Sequence, residues 1–257
     1  MNASAPSTVL NTALQVRGLS KQFDGAPAPV WSDISFDVPR SQRVAIVGGN
    51  GAGKSTLLRC CMRLIEPDSG SIAFAGQNVT GLSRRPLAKA RSQVGFVFQK
   101  HNLVSRLSVL SNVLHGAMAY SSSPRLWFHA MATREHRDYA MHCLEQVHLG
   151  HLSGRCAGEL SGGQSQRVAI ARVLMQKPHM IFADEPVASL DPQAGEDVMQ
   201  VFSDLVRSQG LTLVFVTHHL EHALHYADRV LGLRDCRLHL DAASRQLSVQ
   251  QLRGMYD

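Results

Sequence analysis

Hydrophobic residues fall along this chain in two periods. Leu14 to Phe23 and Ile34 to Val38 alternate apolar with polar positions, the period-two pattern of half-buried strands, and a Gly/Pro-rich stretch at Gly25 to Pro29 separates them. Two antiparallel strands joined by a turn are predicted. Short apolar runs at Val44 to Val47, Ile72 to Ala75, Val94 to Phe98, Met180 to Ala183 and Leu211 to Val216, each bounded by breakers, have the length of strands. Helical spacing fills the intervals, as at Leu57 to Leu64. From Lys100 to Gly158 nothing reads convincingly as a strand, and the periodic stretches Leu107 to Met118 and Arg134 to Val147 predict a helical insertion. Residues 1–12, rich in Ser, Thr, Ala and Asn, are expected to form a frayed tail with order starting near Ala13. Residues 244–257 are expected to form a short C-terminal extension carrying a helix.

Composition narrows the class. With 257 residues, 44% hydrophobic and 18% charged, the chain suits one large α/β domain or a domain with an inserted subdomain, and neither disorder nor a fibrous repeat. A formal net charge of +6 favours anionic partners, nucleotide included, without choosing among them. The densest basic cluster, Arg84, Arg85, Lys89 and Arg91, lacks the interleaved aromatics of a single-strand platform and reads as a solvated helical face, so no nucleic acid is expected. The five cysteines, with Cys60 and Cys61 adjacent, offer neither a disulfide framework nor zinc-ligand spacing, which fits a reducing compartment. No stretch approaches the roughly 20 apolar residues of a membrane span, so a membrane role would be borrowed from another chain.

The chemistry is concentrated in three segments. Gly48-Gly49-Asn50-Gly51-Ala52-Gly53-Lys54-Ser55-Thr56 follows the apolar run Val44 to Val47 and precedes a helical pattern, the context a phosphate-binding loop requires. Its glycines let successive main-chain N–H groups point inward at phosphate, the following helix adds positive partial charge, Lys54 would reach the β and γ phosphates, and the Ser55 hydroxyl would ligate magnesium. Asp184 and Glu185 end the apolar run Met180 to Ala183, where open α/β sheets bind ligands. Adjacent side chains diverge, so Asp184 is expected on the magnesium side, bound through water, and Glu185 against the attacking water as general base. Leu160-Ser161-Gly162-Gly163-Gln164 opens another helical pattern, with Ser161 as an apt N-cap, and makes a second anion-binding helix terminus.

Taken in order, GGNGAGKST, Gln99 after its strand, LSGGQ, IFADEP at Ile181 to Pro186, SLD at Ser189 to Asp191 and THH at Thr217 to His219 resemble the ATP-binding-cassette ATPases over nearly the whole chain. The resemblance implies a P-loop NTPase fold: a RecA-like core, an antiparallel β subdomain and an inserted α-helical subdomain at about 100–160, within one domain spanning 13–250. It implies ATP as substrate and Mg2+ as cofactor. It also implies a second copy of the chain, whose P-loop meets Ser161, Gly162, Gly163 and Gln164 across a two-fold interface lined by Asp191. By the same resemblance Gln99 senses magnesium and γ-phosphate and links the site to transmembrane subunits, His218 touches γ-phosphate as a switch, and Phe23 stacks on adenine, with Trp31 as another aromatic nearby. Gly49-Asn50 stands where Pro-Ser is common and Ser165 where Gln is frequent; neither change alters a charged catalytic group. His218, His222 and His225 would share a helical face, but without HExxH they read as a nucleotide sensor followed by solvated histidines.

Within the family, Asn102 to Gly116, the basic and aromatic stretch through Trp127 and Phe128 to Arg137, Ala183 to Pro192 with Val187, and Tyr226 to Asp235 look like phosphonate-importer ATPases. Phosphite and polar-amino-acid importers are near alternatives, followed by an accessory cassette of phosphonate metabolism and, further off, a DNA-repair cassette. The implied setting is peripheral, on the cytoplasmic face of a bacterial inner membrane, with permease subunits and, indirectly, a solute-binding protein as partners.

Overall fold

A computed structural model describes residues 11–121, 123–127, 130–254 and 256. The tail expected at residues 1–12 therefore lies outside the described residues except for its last two, and so do Phe128 and the terminal Asp257. The chain forms two compact units: the described residues up to Ala90 together with those from Val216 onward, and Arg91–Phe215.

The first unit opens on strand β1 (Thr12–Lys21), which pairs antiparallel with β2 (Trp31–Pro39) from Thr12 opposite Pro39 to Lys21 opposite Trp31. Thr12 thus belongs to the sheet and not to a tail; a long-range partner, invisible in local composition, recruits it. On its other edge β1 pairs with β4 (Ser69–Phe74), and β5 (Gln77–Asn78) completes the order β2-β1-β4-β5. Leu14, Val16, Leu19, Ile34 and Val38 are fully buried; the alternation skips a residue between Val16 and Leu19, where the ladder shifts register. Strand β3 (Arg43–Gly48) pairs parallel with β9 (Arg229–Arg234), which pairs antiparallel with β10 (Arg237–Ala243). Val44, Ala45, Ile46 and Val47 have no exposed surface, the continuous burial of a parallel strand covered on both faces. Arg229 joins the two sheets of this unit, donating to the Asp37 carbonyl of β2 at 2.7 Å while paired with Asp241 of β10. Helices α1 (Lys54–Cys61), α7 (Leu220–Tyr226) and α8 (Val249–Arg253) complete the unit. Helix α2 (Arg84–Arg91) buries Leu87 and Ala90 and leaves Arg84, Arg85 and Lys89 exposed, as a solvated face does. β9 and β10 were not anticipated: Asp235 and Cys236, both at positive φ, make their turn without the Gly or Asn that usually signals one.

In the second unit, β6 (Val94–Val97) runs parallel to β7 (Met180–Asp184), with β8 (Thr212–Val216) beside β7. Helices α3 (Val109–Leu114), α4 (Arg134–Gln146) and α5 (Gly162–Met175) pack pairwise, and α6 (Pro192–Ser208) lies against α5. The insertion is not purely helical: Ser108 and Cys156 form an antiparallel bridge, and Ala157 and Gly158 donate to the carbonyls of Leu107 and Ser105. The helix expected over Leu107 to Met118 is regular only to Leu114 and then tightens into a 3-10 turn, His115–Ala119. Gly116 sits in that turn so close to α5 that a Cβ on it would lie 2.1 Å from the Arg172 carbonyl oxygen. Buried Asn112 clasps the approach to α3, accepting from the Val104 N–H at 2.7 Å and donating to the Val104 and Ser108 carbonyls. No helix among the described residues is long and apolar enough to cross a membrane.

Gly116→Ala is expected to lower stability by about 1–3 kcal/mol through overpacking of the 3-10 turn after α3 against α5. Chemical denaturation measures it, and an unchanged midpoint would contradict the close approach.

Candidate functional site

Main-chain geometry shapes the phosphate loop. β3 ends at Gly48 and α1 begins after Gly53. Gly48 lies at φ 148°, with its missing Cβ position 2.3 Å from the Leu233 carbonyl oxygen of β9; Gly53 lies at φ 81°, where a Cβ would come within 2.3 Å of Val30 Cγ1. A side chain at either position would collide with neighbouring strands. Between them Ala52 N–H donates to Gly49 O at 3.2 Å, while Asn50 and Gly51 are exposed at the crown of the loop. Helix α1 starts with no side-chain cap and no acidic residue in its first turn, whereas α3, α4, α5, α6 and α8 are capped by Ser108, Thr133, Ser161, Asp191 and Ser248. Its positive end is thus left for an anion. Lys54 is 5% exposed and curls back over the loop, its Nζ donating to the carbonyls of Gly48 (2.8 Å) and Gly49 (3.0 Å). Ser55 and Thr56 follow, half-buried.

Two aromatic residues near this loop divide their work. Trp31 is fully buried and donates from Nε1 to the Gly53 carbonyl at 3.3 Å, so it braces the loop from behind. Phe23 is 44% exposed, in a segment closed by Val30 N–H donating to Lys21 O at 2.8 Å, with the Lys21 ammonium 5.4 Å from its ring centroid. Of the two, only Phe23 presents its ring at the surface. Thr217 N–H donates to the Ile46 carbonyl of β3, and Thr217 Oγ1 accepts from the His219 N–H, so exposed His218 is held beside the strand that feeds the phosphate loop. The His219 and His222 rings lie 4.8 Å apart on and before α7.

The remaining predicted residues lie in the second unit. Asp184 is 2% exposed at the end of β7, and Glu185 turns out of the strand at φ 49°. A left-handed glutamate costs about 1–3 kcal/mol and persists where surrounding structure enforces it, a common mark of functional sites. Register then brings Gln99 to the same place: Val97 of β6 stands opposite Ala183 of β7, so two residues further on Gln99 and Glu185 leave adjacent parallel strands at the same edge. The LSGGQ tip is built by a reciprocal capping box, in which Ser161 Oγ accepts from Gln164 N–H at 3.3 Å and Gln164 Oε1 accepts from Ser161 N–H at 3.0 Å. Gly162 abuts Leu190 and Gly163 faces Ala194 of α6, which settles the tip beside the SLD segment. Asp191 caps α6, accepting from Ala194 N–H at 3.0 Å, a local duty that Pro192 at the first helical position signals in the sequence. Sequence reading also missed the brace of Trp31, which lies in no motif with a distinctive spacing, and the tether made by Thr217, whose motif was read only for His218.

A family profile described as ABC transporter matches residues 31–188, from the bracing tryptophan past the paired carboxylates. The chain belongs to the ABC transporter family. The cassette is 39% identical over 246 residues to the phosphonates import ATP-binding protein PhnC 1 of Ruegeria sp. (strain TM1040), covering 95% of this chain and 94% of that one. It is 41% identical over 242 residues to PhnC of Rhizobium meliloti (strain 1021), covering 94% and 86%. Among solved structures, the dimeric post-hydrolysis state of the ATP-binding cassette MJ0796 bound to ADP and Pi matches with a TM-score of 0.78 and 30% identity over 90% of this chain and 99% of that one. The cbiO1 protein of Clostridium perfringens matches with a TM-score of 0.82 and 28% identity, covering 94% and 93%. The P-loop NTPase fold and the ATPase chemistry expected from the motifs are those of this family, so the cassette is an ATP hydrolase coupled to transport.

Lys54→Ala is expected to weaken ATP binding about 10- to 100-fold, the worth of charge-assisted contacts to phosphate. Titration with a fluorescent nucleotide tests this; unchanged affinity would remove Lys54 from the phosphate site.

Proposed function

We propose that the cassette powers the import of phosphonate or a related phosphorus oxyanion, working as a two-fold dimer on the cytoplasmic face of a bacterial inner membrane, docked to permease subunits that receive solute from a separate binding protein. The observation that carries the reading is near-full-length similarity to curated proteins each named for phosphonate import, at 39% and 41% identity. The insertion supports transport over DNA repair, since its longest described helix, α4, has 13 residues and no extended coiled coil. The dimeric description of the MJ0796 cassette supports the pairing of two copies.

In this reading the loop from Gly48 to Thr56 holds the phosphates through main-chain amides and Lys54, and Phe23 stacks on adenine. Ser161, Gly162, Gly163 and Gln164 of a second copy cover the γ-phosphate, with Asp191 at the shared interface. The capping box leaves the N–H groups of Gly162 and Gly163 in the first helical turn, where no intrahelical acceptor exists. Ser55, Gln99 and Asp184 supply oxygen donors only, a set that suits magnesium, which when bound offsets charge on the triphosphate. Glu185 takes a proton from the attacking water, and His218 orients the γ-phosphate. Two ATP molecules close the dimer and hydrolysis reopens it, a shift of population between two states that the permease reads.

Glu185→Gln is expected to keep ATP binding, to lose turnover, and to trap a dimer visible by size-exclusion chromatography with magnesium-ATP. A strictly monomeric variant would count against the clamp. The solute-binding protein that co-purifies with the complex is expected to bind methylphosphonate in calorimetry, whereas binding of a polar amino acid instead would redirect the solute assignment.

A further inference from the structure

Helix α5 carries the Ser161–Gln164 tip at one end, and near its other end two long polar side chains reach the segment that presents Gln99. Gln176, just past the helix, donates from Nε2 to the carbonyls of Arg91 (3.1 Å), Ser92 (3.0 Å) and Val94 (3.0 Å), gripping β6 at its start. Arg172 donates from Nη2 to His101 O (2.8 Å) and from Nη1 to Asn102 O (2.7 Å), gripping the chain two and three residues beyond Gln99. The same stretch therefore holds the backbone on both sides of Gln99. Contact between them is tight, since a Cβ on Gly95 would lie 2.3 Å from Val173 Cγ1.

Arg172 is an expensive way to make such a contact. Its guanidinium is partly withdrawn from water, which pulls its pKa below the ordinary value, yet its two hydrogen bonds go to neutral carbonyls and it forms no ion pair among the described residues. A half-buried charge without a counter-charge still carries a desolvation cost that an apolar residue would not. The bound loop is itself held in an uncommon conformation, with Asn102 at φ 50°. Beyond it, Asn112 fixes Val104, and the lead-in to the LSGGQ tip pairs with Ser105 and Leu107. The path from Gln99 to the tip is thus hydrogen-bonded at each stage.

We infer that Arg172 is a positioning residue for Gln99: it fastens the main chain after Gln99 to α5, so that the Gln99 amide and the Ser161–Gln164 tip move as one lever. The inference rests on the role proposed above for Gln99 at the magnesium and γ-phosphate side of the site. Equilibrium binding of ATP in a full-length Glu185→Gln background, with magnesium and with EDTA, reads that role without turnover. The magnesium-dependent gain in ATP affinity is expected to fall about tenfold in Gln99→Ala and by a smaller factor in Arg172→Lys, which keeps the stem and charge but not the two-pronged donor, while the affinity of Arg172→Lys in EDTA stays unchanged. Arg172→Gln should show the larger loss, its fold checked by thermal denaturation, and the Lys variant remains decisive if the Gln variant does not fold. Combined with Gln99→Ala, Arg172→Lys should add nothing further, because both act through one group. Additive losses, or a wild-type magnesium gain in Arg172→Lys, would overturn the lever. A wild-type magnesium gain in Gln99→Ala would instead overturn the assignment of Gln99 to the site.

Discussion

A phosphate group held by main-chain N–H donors demands a backbone free of side chains at the points of contact, and much of this chain is arranged around that demand. Gly48 and Gly53 meet it by having no Cβ where Leu233 and Val30 stand. The surroundings in turn supply rigidity that glycine cannot: β3 is buried from Val44 to Gly48, Trp31 braces the Gly53 carbonyl, and Lys54 draws the loop closed. Flexible residues are thereby held in one conformation, so little ordering is left for the moment of binding. The bare N-terminus of α1, in contrast to the side-chain caps of α3, α4, α5, α6 and α8, directs the helix field outward to a ligand.

The second glycine-tipped helix solves the same problem differently. Ser161 and Gln164 satisfy one another in a capping box, which fixes the start of α5 without any ligand, while Gly162 and Gly163 keep the approach open and pack flush on Leu190 and α6. Asp191 fixes the neighbouring helix α6 by the same device. Residues that the family resemblance places at an interface are thus also the residues that build their own helix ends. Their loss would disturb local structure and ligand contact together, and substitution effects there mix the two.

Strand register accounts for the edge that carries both Gln99 and Glu185. In a parallel pair the step from β6 to β7 is fixed by the ladder, and Val97 opposite Ala183 carries Gln99 and Glu185 out at one level. Directly after buried Asp184 the backbone turns left-handed at Glu185, so the two adjacent residues do not share one strand geometry. Through Arg172, α5 holds the loop that Gln99 begins, and through Gln176, just past its end, it holds the start of β6.

Features carried by consecutive residues were legible in the sequence alone. The phosphate loop, the LSGGQ tip, the paired carboxylates and the strands β3, β6 and β7 each declare themselves within about ten residues, because main-chain curvature, capping and burial on both faces depend on near neighbours. Thr12 in the sheet, the β9–β10 hairpin, the broken end of α3 at Gly116, Trp31 as a brace rather than a stacking ring, and the grip of Arg172 depend on partners far along the chain. No local pattern specifies which distant carbonyl a buried side chain will find; only packing of the folded chain decides that. Sequence determined which residues can bind phosphate, and tertiary structure decided which of their neighbours hold them in place.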